Sequence, residues 1–346
     1  FRRVLFRSHI FHRNNFIFPD KYPKIYEEGK KAKKRDKASY AGGLVLEPKA
    51  GLYKDFILLL DFNSLYPSII QEFKICFTTV TSRDYVGIEF YKRNAKEPAK
   101  MDEEGDENEE EDEEKGFVYG SKIPDYDPGS IRIEKGKNGI LPDIVRGLVE
   151  KRKQVKADLK NATDKLVKET LNIKQLAIKL IANSIYGCLG FKNSRFYAKQ
   201  LAALITHYGR DILTRTSMQV AEEGFEVVYG DTDSLMINSR VKNLCEAIKK
   251  GIELKKKINE KYRSKILEIE IDGVFRSLLL LKKKKYAADS LKNLEQVVAN
   301  WDESKARFEV DIKGLDIVRR DWSQITKLTG DETAAHGAAW QRLLAA

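Results

Sequence analysis

The apolar run Phe56-Ile57-Leu58-Leu59-Leu60 ends on a carboxylate, Asp61. Five consecutive apolar residues read as a buried strand, so the acid that closes the run belongs at the rim of a sheet. A second frame lies far along the chain. Gly230-Asp231-Thr232-Asp233 separates two apolar stretches, Phe225 to Tyr229 and Leu235 to Ile237, and reads as a hairpin that presents acids at its tip. Taken singly, each frame also has an ordinary reading as a cap or turn. Taken together, they predict distant strands joined in one sheet, with Asp61 and Asp233 holding hard cations between oxygen ligands. Two such cations clamp the attacking and leaving oxygens of an in-line phosphoryl displacement.

A chain of 346 residues, 42% of them hydrophobic, can bury a substantial core and has room for two or three domains. Its net charge of +11 favours an anionic partner. That figure understates the field, because residues 102–114 concentrate 11 of the 52 acids and hold no Lys or Arg. Elsewhere the 63 Lys and Arg are in large excess, which suits nucleic acid, although a merely soluble basic protein also fits. Cys76, Cys188 and Cys245 are too few and too scattered for a disulfide framework or a cysteine zinc site, which fits a reducing compartment. No apolar stretch approaches a membrane span and no signal-peptide pattern opens the chain. The basic tracts Lys30 to Lys37 and Lys282 to Lys285 could address the chain to the nucleus or contact phosphates.

Residues 1–38 read as a basic lead-in with Phe11, Phe16, Phe18 and Tyr22 among the cations. Tyr40-Ala41-Gly42-Gly43 opens a strand-rich region, its glycines suiting a plain turn or close approach to a bound strand. Periodicity fades over residues 82–138, where the acidic run lies, and this reads as an insertion. Helical spacing then returns. Pro142 suits a first turn, and Ile144, Val145, Leu148, Val149, Val155 and Leu159 follow a helical apolar pattern. A second helix is predicted over Leu171 to Tyr186, ending near Gly187 and Gly190, with Asn161 to Asp164 as the link of an antiparallel hairpin. Arg152 and Lys156 are four apart, and Lys179, Asn183 and Tyr186 follow at four and three, so each group shares a helical face able to converge on a triphosphate. Arg152 and Lys156 also read as ordinary exposed helix formers, whereas Asn183 inside a helix carries a propensity cost that needs a reason. Basic helix is expected over Phe191 to Met218, a charged helix over 240–265, and a strand over Leu267 to Leu281 that runs into the four lysines and Tyr286.

Three of these stretches resemble the polymerase motifs of family B DNA polymerases, and they occur in the family's order. They are Asp61-Phe62-Asn63-Ser64-Leu65-Tyr66-Pro67-Ser68-Ile69-Ile70, the segment Lys179 to Gly187, and Tyr229 to Ser234. Further likeness to the replication-initiating members runs through His12 to Lys21, Tyr40 to Leu46, Arg152 to Lys156, Asn183 to Ala203, Leu278 to Ala288 and Gly314 to Trp322.

The resemblance implies an α+β chain with an antiparallel-sheet palm at residues 39–81 and 191–312. It implies helical-hairpin fingers at 139–190, in a right-hand polymerase architecture that lacks most of the thumb, whose start is expected at 313–346. It implies Mg2+ as two ions bound by Asp61 and Asp233 with the Phe62 carbonyl, and Asp231 in support. Arg152, Lys156, Lys179 and Asn183 would grip the triphosphate. Leu65 and Tyr66 would pack against the incoming nucleotide, Tyr66 excluding a ribose 2′-hydroxyl, while Tyr186 and Gly187 would face the nascent pair. Tyr40, Gly42 and Gly43 would follow the template, and Lys284 and Tyr286 the new duplex. Implied partners are primed DNA, deoxynucleoside triphosphates, a primase and a polymerase accessory subunit, in the nucleus and away from membranes. Residues 1–8 and 331–346 depart from the pattern, and neither an upstream exonuclease motif nor cysteine-rich zinc modules can be read, so a fragment of a larger enzyme is expected. A catalytically silent nucleic-acid-binding module and a two-metal nuclease are the competing readings.

Overall fold

The computed structural model describes residues 9–16, 40–80, 131–133, 136, 138–191, 194–262, 266–319 and 323–325. The acidic run at 102–114, the basic tract at 30–37 and the tail from residue 331 lie outside them. The described chain is a mixture of helices and antiparallel sheet divided between two compact units. One holds the residues up to Tyr40 and Phe73–Leu204; the other holds Ala41–Glu72 and the residues from Ile205 onward.

In the first unit a short helix, α1, covers residues 9–13. Phe11 is fully buried, its ring centroid 5.7 to 6.1 Å from those of Phe16, Phe77 and Phe196. The part of the lead-in that is described, residues 9–16, is therefore held by an aromatic cluster. Helices α3 (Ile140–Asn161) and α4 (Lys165–Gly190) pack as the expected hairpin. α4 begins six residues before the predicted start because Asp164 caps it. The Asp164 carboxylate accepts the Leu166 N–H at 2.8 Å, a contact that stabilises a helix by about 1 kcal/mol. Gln175, Ile178, Ala182, Ile185 and Leu189, spaced three and four apart, form the buried stripe of α4. That stripe carries the helix through Gly187 as far as Gly190.

Helix α5 (Lys199–Glu222) starts later than its basic, aromatic sequence suggested. Ser194 diverts the chain first, its hydroxyl accepting the Phe196 N–H at 3.1 Å and its carbonyl the Tyr197 N–H at 3.0 Å. From Ile205 onward α5 belongs to the second unit.

The second unit is built on a seven-stranded antiparallel sheet. In chain order come β1 (Gly51–Tyr53), β2 (Ile57–Phe62), helix α2 (Leu65–Glu72), β3 (Glu226–Asp231), β4 (Ser234–Asn238), helix α6 (Leu244–Lys261), β5 (Ile269–Lys282), β6 (Lys285–Leu291), helix α7 (Leu294–Asn300) and β7 (Phe308–Lys313). The order across the sheet is β3-β4-β2-β5-β6-β7, with β1 added along β5. Strand β5 is long enough to serve β2 with its first half and β1 with its second. Its leucines alternate as a pleated strand demands: Leu278 and Leu280 enter the cluster of Ile57, Val228, Met236 and Phe275, while Leu279 packs with Ala287 behind the sheet. α6 covers the face that bears Leu58, and Gly251 is where the two meet, since a Cβ there would stand 3.2 Å from both Leu58 methyls.

The four lysines do not trail a strand; they turn it. β5 ends at Lys282, Lys283 and Lys284 form the bend, and β6 starts at Lys285. Lys284 takes φ 62, and Gly314 approaches so closely that a Cβ would lie 2.0 Å from the Lys284 carbonyl oxygen. Only glycine fits there.

Candidate active site

Ser234 on β4 stands directly opposite Asp61 on one side and Asp231 on the other. Glu270 on β5 is the next partner of Asp61. Directly opposed residues of antiparallel strands project to one face, so Asp231, Ser234, Asp61 and Glu270 make a row across four strands. Alternation along β2 puts that row on the face of Ile57 and Leu59, away from Leu58 and the covering helix α6. Register irregularities between Val227 and Tyr229, and between Leu59 and Leu60, lie just upstream of it.

Asp233 joins the row through the backbone. Its carbonyl accepts the Phe62 N–H at 2.9 Å, and its own N–H donates to the Asp231 carbonyl at 2.7 Å. Thr232 between the acids has φ 61, and its N–H is held from outside by the Leu44 carbonyl at 2.8 Å. The tip predicted from Gly-Asp-Thr-Asp is thus a two-residue turn from β3 to β4, with Asp233 beside Phe62 and Asp61 on the adjoining strand.

The two acids of the turn differ in their partners. The Asp231 carboxylate accepts the Thr232 hydroxyl at 3.0 Å and lies 3.3 Å from the Lys284 ammonium. Lys284 is further anchored by its N–H, which donates to the Tyr229 hydroxyl at 2.9 Å. Burial pushes the Tyr229 phenol above its ordinary value, so it stays a neutral hydrogen-bonding group. Tyr286, one strand over and 6.4 Å from the Phe275 ring, is raised to about 12, first by burial and then by nearby acids led by Asp311.

Among the described residues no three His, Cys, Asp or Glu side chains gather as a metal cage. The oxygens of Asp61, Asp233 and Phe62 fit a different design. Mg2+ favours one or two carboxylates and takes the rest of its shell from water and substrate phosphate, so this hard-oxygen set suits it.

Around Tyr66 the unit is tightly drawn. Leu65 is buried at the start of α2, and Tyr66 lies half-buried beside it. The strip from Ala41 to Gly43 is fixed by α5: Thr206 donates its hydroxyl to the Ala41 carbonyl at 2.9 Å, and Arg210 donates to the carbonyls of Ala41 and Gly42 at 3.1 and 2.8 Å. A Cβ on Gly43 would stand 2.8 Å from the Thr232 hydroxyl and 3.0 Å from the Tyr66 hydroxyl. Of the two readings of these glycines, the close approach at Gly43 is to the protein's own side chains. Gly42 has nothing within 4 Å of its Cβ position and opens to space.

The remaining candidates lie in the helical hairpin of the first unit. Lys179, Asn183 and Gly187 are exposed on the side of α4 away from its buried stripe. Arg152 on α3 is half-buried, its Nε 3.4 Å from the Gln175 amide oxygen, and burial pulls its pKa below the ordinary value. Lys156 is exposed one turn further along. The Tyr186 hydroxyl is 3.3 Å from that of Tyr40, which also fills the space beside Gly190, where a Cβ would sit 2.1 Å from it.

Sequence reasoning passed over Thr206, Gly209 and Arg210, which sit three and four residues apart on one face of α5. A glycine in the middle of a predicted helix was the available signal, since it costs about 1 kcal/mol relative to alanine.

The sequence model of DNA polymerase family B matches residues 3–336, reaching into both ends that the sequence pattern set apart. The DNA polymerase alpha catalytic subunit of Sterkiella nova is 46% identical over 346 residues, covering 95% of this chain and 22% of its own length. That of Mus musculus is 47% identical over 339 residues, covering 93% and 20%. The chain therefore spans about a fifth of the length of these relatives.

Proposed function

Because this chain belongs to DNA polymerase family B, we propose that it carries out DNA-directed DNA synthesis, adding deoxynucleoside triphosphates to a primer 3′-hydroxyl. The observation that carries the reading is the pairing of β2 with β4, which sets Asp61 and the Asp231-Thr232-Asp233 turn side by side. The sheet unit is then the palm, the α3–α4 hairpin the fingers, and the residues after Lys313 the start of a thumb.

Asp61 and Asp233, with the Phe62 carbonyl, would hold two Mg2+ ions, which supply a lowered pKa for the primer hydroxyl and charge for the leaving pyrophosphate. The chain's own residues do the rest. Asp231, already engaged by Thr232 and Lys284, keeps the turn in register rather than serving as a direct ligand. Lys179, Arg152, Lys156 and Asn183 bind the triphosphate. The partial burial of Arg152 argues for a fixed guanidinium, because a planar fork already held in place loses less freedom on gripping an anion. Leu65 and Tyr66 form the floor under the sugar, Tyr66 turning away a 2′-hydroxyl. Tyr186 and Gly187 face the nascent pair, and the open space before Gly187 leaves room for a base. Tyr40, Gly42 and Gly43 follow the template; Lys284 and Tyr286 follow the duplex.

The relatives are catalytic subunits by name, so we extend the proposal to work within an assembly, with a primase and an accessory subunit, at replication initiation in the nucleus. Primer extension tests the core of it. With magnesium, primed template and deoxynucleoside triphosphates the chain lengthens the primer, and Asp233→Ala abolishes this. Extension that survives in Asp233→Ala removes the metal assignment. Binding without extension identifies a silent module instead, and primer shortening a nuclease.

A further inference from the structure

Gly209 lies buried within α5, where a glycine weakens the helix by about 1 kcal/mol relative to alanine. The space in front of it explains the choice. A Cβ there would stand 3.2 Å from Cε1 of Tyr66, 3.6 Å from Ile69 and 3.7 Å from Leu65. The ring of Tyr66 thus rests on bare helix backbone. Its far end is equally confined, because the hydroxyl lies 3.0 Å from the Cβ position of Gly43, which is itself 2.8 Å from the Thr232 hydroxyl. The strip bearing Gly43 is in turn tied to the same turn of α5 by Thr206 and Arg210. One helical turn therefore fixes both the wall behind the ring and the strip against its tip.

We propose that Gly209 is a positioning residue which sets the Tyr66 ring and, through it, the choice between deoxyribonucleotide and ribonucleotide. The proposal rests on the polymerase reading above. A methyl group on Gly209 forces the ring to move by a few tenths of an ångström, and the direction sets the sign of the effect. A ring pushed toward the sugar crowds the 2′-hydroxyl more than a 2′-hydrogen, while a ring tilted aside admits the 2′-hydroxyl. The first displacement raises the ratio of kcat/KM for deoxyribonucleotide to that for ribonucleotide and the second lowers it, so either one changes the ratio. Since a misplacement of 1 Å costs about 100-fold in a positioned reaction, a few tenths predict about a three- to fivefold change in the ratio.

The test compares single-nucleotide incorporation of matched deoxyribo- and ribonucleotides by the full chain, by Gly209→Ala, by Tyr66→Ala and by the double variant. Gly209→Ala is expected to change the ratio about three- to fivefold in the wild-type background and to change nothing in the Tyr66→Ala background, where the methyl meets no ring. An unchanged ratio in Gly209→Ala overturns the proposal, and so does an additional change of the same size in the double variant. Should Gly209→Ala alone fail to fold, the double variant still decides, because losing the ring makes room for the methyl. A double variant that matches Tyr66→Ala in folding and discrimination supports the proposal, and one that does not overturns it. Absence of extension by the wild-type chain is a separate result, which removes the polymerase reading and this proposal with it.

Discussion

Asn259 on α6 offers a perturbation whose cost can be worked out from two hydrogen bonds. Its side-chain amide donates to the Ile269 carbonyl at 3.0 Å and accepts the Ile269 N–H at 2.9 Å. Ile269 opens β5, is fully buried, and pairs with Phe62, the residue after Asp61. Asn63 donates to the Glu268 carbonyl at 2.9 Å, so the polar groups of Ile269 point away from β2, and the Asn259 amide takes the place of a missing strand. Asn259→Ala leaves both groups without that partner. At about 1–2 kcal/mol for each lost bond to a partly buried group, the variant loses about 2–4 kcal/mol. For a unit of this size that is a fall in Tm of about 5–15 °C, read by thermal unfolding. Asn259→Asp sharpens the reasoning, since it keeps the acceptor and turns a second oxygen onto the Ile269 carbonyl. The carboxylate is then disfavoured in the folded state and its folded pKa rises above the unfolded value of about 3.9. A raised folded pKa means the native state binds the extra proton more tightly, so stability recovers as pH falls through the folded pKa toward 4. A loss below about 0.5 kcal/mol in Asn259→Ala would refute the account. So would an Asn259→Asp deficit that does not shrink on acidification relative to wild type.

Three further outcomes follow from the second unit. Tyr286 has its pKa raised from 10.0 to about 12, so its share of stability is complete below pH 10 and is lost as pH climbs toward 12; Tyr286→Phe should flatten that alkaline limb in denaturation curves. Arg210→Ala releases the carbonyls of Ala41 and Gly42, and should lower stability by about 1 kcal/mol while raising KM for primed template more than it lowers kcat. Lys284→Met removes an exposed partner of Asp231, worth at most about 1 kcal/mol in unfolding. On the proposed duplex track the same change should weaken DNA binding and reduce the salt slope by about one phosphate contact, measured by anisotropy titration at several ionic strengths.

Local signals carried much of this structure. The apolar run before Asp61, the turn residues around Asp231 and the three-and-four spacing in α3 and α4 each specify an element from its own residues, and those elements are present. Boundaries failed where one side chain decides them, as with the Asp164 cap and the Ser194 turn. The lysine tract was legible as charge but not as a bend, because Lys284 takes a positive φ that lysine rarely adopts and packs against Gly314, thirty residues away in sequence. Asn259, Thr206 and Arg210 were not legible at all. Each pairs with backbone that only the tertiary fold brings near, and nothing in the neighbouring sequence records that distance. Gly209 lies between these cases: its cost to the helix could be seen, but not the ring that occupies the space it leaves.

The two register irregularities beside the row of acids have a consequence for which changes the chain can tolerate. On β3, Val228 is the unpaired extra residue between Val227 opposite Ile237 and Tyr229 opposite Met236. On β5 it is Asp272, between Gly273 opposite Leu59 and Ile271 opposite Leu60. Pairing these two residues into the ladder would set Gly230 opposite Ser234 and Ile271 opposite Asp61, and the row of acids would lose both of its flanks. The buried pairs further along, such as Ile57 with Phe275 and Leu58 with Val274, would be untouched. The sheet thus keeps two independent phases, one for its oily interior and one for its chemistry, joined by single spare residues. A strand that lost its spare residue would keep every pair on both sides, so the acid row tolerates that deletion, whereas drawing the spare residue into the ladder moves each acid one place out of the row.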